Sequence, residues 1–155
     1  MITAICLLAF AACNNNNTEM KKNTITEKEQ LTFPIGQPND AYAQYFVGQS
    51  YLAPLAGGYT NVTFEPGCRN NWHIHHGIIQ VLICVDGEGW YQEWDKPAVK
   101  LTPGVIIEIP EGVKHWHGAT AGSWMQHLTT HKVLSEENSN EWLEPVDDAT
   151  YAKAE

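Results

Sequence analysis

Basic side chains are scarce in this chain: nine Lys and Arg stand against 18 Asp and Glu, a formal charge of −9 over 155 residues. No local basic patch offsets that balance, so a polyanion would be repelled and nucleic acid is not an expected partner. Also missing is any apolar run of the ~20 residues that an α-helix needs to span a bilayer. No internal repeat of solenoid period is present, and a chain of this length supplies one hydrophobic core and not two, so a single folded domain is expected. Cysteine is sparse as well, confined to Cys6, Cys13, Cys68 and Cys84.

Residues 1–12 are almost wholly apolar and uncharged, which suits the core of a secretion signal. Phe10-Ala11-Ala12-Cys13 then has the form of a lipobox, although Phe10 is unusual at its position and no Lys or Arg precedes the run. The expected organisation is a lipoprotein-type signal segment over 1–12, a flexible tether over 13–30 and one folded domain over 31–155. That places the protein in the cell envelope, with a lipid on Cys13 as its membrane contact. Four asparagines follow Cys13, and the stretch to Gln30 is too polar to order itself by burial. An oxidising compartment would allow Cys68 and Cys84 to pair. Cys84 shares strand parity with Gln80 and Leu82, however, and reads as a small apolar filler facing inward, so a disulfide is not the expected state.

The folded part reads as short strands broken by Gly, Pro and Asp. Residues 31–43 carry Pro34, Gly36, Pro38 and Asn39-Asp40 and read as a loop, not a helix. Strands are expected over 44–53, 59–65, 71–75, 78–85, 89–94, 99–101, 105–109, 114–119 and 124–133. This spacing predicts an all-β fold of the closed, double-sheet jelly-roll type. The 78–85 strand is apolar on both faces, so its outer face needs a cover, from an N-terminal strand or a second subunit. From Ser135 onward the chain turns acidic and polar and carries little signal, apart from one closing helical turn over 147–153. Six Trp and six Tyr are generous for this length, and packing is their ordinary use.

The chemistry lies in two motifs. The first is Gly67-x5-His73-Ile74-His75-x4-Gln80-x6-Gly87, and the second is Gly104-x5-Pro110-x-Gly112-x2-His115. On a strand, side-chain direction repeats every two residues, so His73 and His75 project from one face and can chelate together. Gly77 permits a turn after them, which sets Gln80 across from the pair. Pro110-Glu111-Gly112 has the turn chemistry to deliver His115 at the head of a further strand.

Together these motifs resemble the two signatures of the cupin superfamily, over residues 67–118. The resemblance implies a double-stranded β-helix barrel with a divalent metal held by His73, His75, Gln80 and His115. Two departures stand out: Gln80 replaces the usual acidic ligand, and Ala119 the usual closing asparagine. His, His, Gln, His, with the phrases Asn71-Trp72-His73 and His115-Trp116-His117-Gly118, is similar to bacterial cupins of the manganese-dependent hydroxynitrile lyase type. The tail Glu144-Pro145-Val146-Asp147-Asp148 with Tyr151 is similar to theirs too. Manganese is therefore the first expectation, with iron or zinc as alternatives, because three imidazoles and an amide do not by themselves select a metal. A neutral amide in place of a carboxylate leaves the metal a stronger Lewis acid. His117, on the same face as His115, is the candidate general base, and His127 the candidate to orient substrate or share the proton. His76 and His131 read as solvent or rim residues. The implied function is carbon–carbon cleavage of a small aromatic cyanohydrin, or the reverse addition. An iron- or manganese-dependent oxygenase and a non-enzymatic small-ligand binder are the alternatives. Trp72, Trp116 and Trp124 could wall the pocket, but parity puts Trp72 and Trp116 on the outer face. Homodimerisation over the apolar outer face is the expected assembly.

Overall fold

Period-two alternation through the middle of the chain becomes two facing antiparallel sheets. The structure, a computed structural model, describes residues 30–155; the segment 1–12, Cys13 and the tether up to residue 29 lie outside the described residues. Strands are numbered in chain order. The first sheet runs β1 (Gln37–Pro38), β3 (Ser50–Pro54), β4 (Thr60–Phe64), β12 (Met125–Val133), β7 (Ile78–Gly87), β10 (Ile106–Ile109). The second runs β13 (Ser139–Trp142), β6 (His73–His76), β11 (His115–Ala119), β5 (Arg69–Asn70), β2 (Phe46–Val47). On it, β8 (Gly89–Glu93) pairs with β11, and β9 (Val99–Leu101) pairs with β8. This is the jelly-roll β barrel that the strand spacing predicts.

The expected 44–53 strand is two elements on different sheets. A 3₁₀ turn over Asp40–Tyr45 leads into β2, and Gly48 at φ 83° then swings the chain across to β3. The backbone conformation that Gly48 alone tolerates cheaply is what breaks the run. The expected 71–75 strand is likewise interrupted, with Asn71 and Trp72 lying between β5 and β6.

Parity works as expected on β7, where Ile78, Gln80, Leu82 and Cys84 are buried and their odd-numbered neighbours are half-buried. Inside the barrel, Val62, Phe64, Leu82, Cys84, Tyr91, Leu101, Ile109 and Met125 form the main core. Cys68 and Cys84 are both buried free thiols. Burial pushes the Cys68 thiol up to about 12 and that of Cys84 up to about 11, so neither is a nucleophile at neutral pH.

Every residue of β11 is buried, inward and outward alike. Its outward Trp116 is fully covered, because the tail is not the uninformative segment its composition suggests. Helix α1 (Asp148–Ala154), capped by the Asp147 side chain accepting from the Thr150 N–H, lays Tyr151 and Ala154 against Trp72 and Trp116. Arg69 locks it in place: Nε donates to the Val146 carbonyl at 3.1 Å, and the guanidinium meets Asp148 at 2.6 Å. Gly118 is obligatory beneath this layer, since a Cβ there would lie 2.5 Å from the Cys68 carbonyl oxygen. Trp124 packs beside Tyr51, with ring centroids 6.4 Å apart, and not in the pocket.

The N-terminal segment supplies part of the cover that the first sheet needs. Phe33 exchanges hydrogen bonds with Gln126 through its N–H and carbonyl, at 3.0 and 2.9 Å, and the Pro34 carbonyl accepts from Asn61 at 3.1 Å. The outer edge of that face stays open at Ile106, which is 63% exposed.

Candidate metal centre

The barrel holds an open-mouthed cavity of about 260 Å³, just below the ~300–1,000 Å³ typical of small-molecule sites. His73, His75, Gln80, His117 and His127 line it, with His115 fully buried behind them. The register explains the convergence. His115 pairs with His73 across β11 and β6, while β7 leaves the Gly77 turn and brings Gln80 back to the same place.

Hydrogen bonds set the tautomer of three of these rings. His73 Nδ1–H donates to the Asn71 carbonyl and His115 Nδ1–H to the Val113 carbonyl, each at 2.9 Å. His75 Nδ1–H donates to Asn140 Oδ1 at 2.6 Å. In a neutral imidazole the other nitrogen then carries a lone pair. His75 Nε2 and His115 Nε2 lie 2.9 and 3.3 Å from Gln80 Oε1, so two lone pairs face an amide oxygen with no proton between them. A cation reconciles that arrangement, and an Nδ1–H fixed by an outer oxygen is how metal-binding imidazoles are ordinarily held. The donor set therefore fits a divalent metal. His73, His115 and His117 also offer nitrogens that all lie within 4.8 Å of one another and could hold a metal ion.

His117 differs from the other rings. Asn70 Oδ1 accepts from the His117 backbone N–H at 3.0 Å, which orients the amide so that Asn70 Nδ2 donates to His117 Nε2, also at 3.0 Å. The same Nδ2 lies 3.4 Å from His117 Nδ1, so Asn70 holds the edge of that ring. Beside it lies His127, with ring centroids 4.9 Å apart, fully buried and with neither ring nitrogen in a hydrogen bond.

Burial holds all of these rings neutral. Desolvation pushes His73 well below the usual imidazole value, helped by His115 and His75, and does the same to His117, helped by His127 and His73. It lowers His115 and His127 to about 4 each.

Sequence reasoning missed Asn70, Asn140 and Trp142. Trp142 stacks on Tyr45 at 4.5 Å and lies 4.8 Å from His73. Nothing local in the sequence marks the two tail residues, which reach the cavity only because β13 pairs with β6. His131 sits on the rim, 5.9 Å from the His75 ring, and His76 is exposed, its Nε2 2.8 Å from the Glu141 carboxylate.

Comparison with known proteins is decisive on family. The profile of the cupin domain matches residues 60–128. An (R)-mandelonitrile lyase of Granulicella tundricola is 35% identical over 120 residues, 72% of this chain and 88% of that protein. The chain belongs to the cupin family. A cupin-like protein from Thermotoga maritima superposes with a TM-score of 0.72 at 33% identity, covering 81% of this cupin and 97% of that chain. A predicted oxalate decarboxylase from the same organism shares the fold alone, with a TM-score of 0.56 at 18% identity over 63% of this chain and 93% of that one.

Proposed function

We propose that this cupin is a metal-dependent lyase that cleaves a small, uncharged aromatic cyanohydrin to an aldehyde and hydrogen cyanide, or runs the reverse addition. The observation that carries the reading is the pairing of a metal-type donor set with an unpartnered, neutral His127 in one cavity. The 35% identical mandelonitrile lyase supports it. So does the lining: among the described residues, no Asp, Glu, Lys or Arg lies around the cavity. Tyr42, Phe46 and Trp142 offer aromatic surface to a flat substrate.

His73, His75, Gln80 and His115 would hold the metal, manganese first, and when bound it would supply a Lewis acid for the negative charge that develops on the substrate oxygen. The protein's own groups handle the proton. His127 has the free acceptor nitrogen and takes the hydroxyl proton. As the C–C bond to the nitrile breaks, its electron pair leaves with cyanide, which takes the proton back. His117, its ring held by Asn70, would stand beside His127 as a hydrogen-bond donor. On this proposal the general base is His127, and His117, the candidate of the sequence reading, is its neighbour.

The test is mandelonitrile cleavage alongside elemental analysis of the purified domain. Stoichiometric Mn or Fe, with turnover lost in His127→Leu at unchanged metal content, supports the lyase. Metal with O₂ consumption and no cleavage would mark an oxygenase, and metal with neither would leave a binder. For assembly, we propose a second copy over the half-buried Val81, Ile83 and exposed Ile106; sedimentation at the monomer mass would refute it.

A further inference from the structure

The three rings whose Nδ1–H is fixed are not anchored alike. His73 and His115 each donate to a backbone carbonyl two residues earlier in their own segment, an arrangement built into the local chain. His75 instead donates to a side chain 65 residues further on, Asn140 Oδ1, at 2.6 Å. Asn140 stands directly opposite His75 in the β13–β6 register, and Trp142 opposite His73. The tail that carries them is held to the barrel by its own contacts. Trp72 N–H donates to the Glu144 carbonyl at 3.1 Å, Leu143 N–H donates to the Trp72 carbonyl at 2.9 Å, and Tyr151 Oη–H donates to the Ala119 carbonyl at 2.7 Å.

We infer that Asn140 is a positioning residue for His75: its amide oxygen takes the Nδ1 proton, keeps the lone pair on Nε2 and aims that nitrogen at Gln80. This rests on the metal reading above, and it assigns to the C-terminal strand a part in building the metal centre. Without the acceptor, the imidazole is free to move its proton to Nε2 or to rotate, and either change withdraws one donor from the set. A carboxylate at the same position would accept the same hydrogen bond. A leucine of similar size would stand at the same exposed strand position without accepting it.

The experiment is titration of the metal-free domain with Co²⁺, read by visible absorption, for the natural protein, Asn140→Leu and Asn140→Asp, with thermal unfolding of each metal-free form. The expected result is an affinity for Co²⁺ about 10–100-fold weaker in Asn140→Leu with an altered spectrum, as for loss of other outer partners of metal-bound imidazoles. Asn140→Asp should restore affinity and spectrum, and the metal-free leucine variant should unfold where the natural protein does. The inference is overturned if Asn140→Leu binds Co²⁺ with natural affinity and spectrum. It is equally overturned if Asn140→Asp fails to restore binding or the leucine variant loses metal-free stability, since the loss would then come from a disturbed strand. Absence of Co²⁺ binding by the natural protein would instead sink the metal reading itself.

Discussion

His127→Leu should leave the metal-free domain as stable as the natural protein at pH 7.5, and more stable at pH 5. The buried His127 ring is neutral with its pKa lowered to about 4 by desolvation, while a backbone contact to Leu128 pulls the other way without meeting full hydrogen-bond geometry. In the unfolded chain the same group titrates near 6.5. Above 6.5 both states are neutral and the histidine contributes no pH dependence. Between 6.5 and 4 the unfolded state binds the extra proton, so stability falls as the pH drops. With those two values, linkage gives a loss of about 2 kcal/mol at pH 5 from His127 alone. His115, also at about 4, contributes a similar amount, and His73 and His117 move in the same direction. Leucine has nearly the volume of histidine and no polar atom to leave unsatisfied, so the exchange is roughly neutral at pH 7.5. Urea unfolding followed by tryptophan fluorescence at both pH values measures the four free energies. The variant should lose about 2 kcal/mol less than the natural protein between pH 7.5 and 5. Parallel losses would mean that His127 is hydrogen-bonded or solvated in the folded state, and the assignment of a free acceptor nitrogen would fail.

Asn70→Ala removes the amide that occupies His117 Nε2. Its metal content should be unchanged while turnover of mandelonitrile falls by about 10²-fold, toward the lower end of the range for general acid–base groups. Gln80→Glu places a carboxylate against His75 and His115; titration with Mn²⁺ should show binding tighter by about 10-fold and turnover lower, because the added charge weakens the Lewis acid. Trp116→Ala empties the fully buried space beneath α1 and takes away the indole donor to Gln92 at 2.8 Å. A loss of about 3–5 kcal/mol should appear as a much lower thermal midpoint in calorimetry.

Much of this protein is local and therefore legible in one dimension. Side-chain alternation on a strand follows from backbone geometry, so His73 and His75 sharing a face, Cys84 pointing inward and Trp116 pointing outward could all be read from parity. Positive-φ glycines and a proline turn mark where strands end, and the Gly-bounded motifs around His73 and His115 carried the family. Errors arose where a strand had to change partners. A continuous 44–53 was expected because its residues are strand formers, yet Gly48 hands the chain from one sheet to the other.

What only the tertiary structure decided is which distant residues meet. Asn140 has an ordinary polar side chain in an acidic tail until β13 pairs with β6 and sets it against His75. Asn70 becomes the partner of His117 only because β5 lies beside β11. Residue type and spacing thus named the candidate donors. Tautomer and orientation depend on hydrogen bonds to residues tens of positions away, and long-range pairing is chosen by the packing of the whole barrel and not by any local pattern.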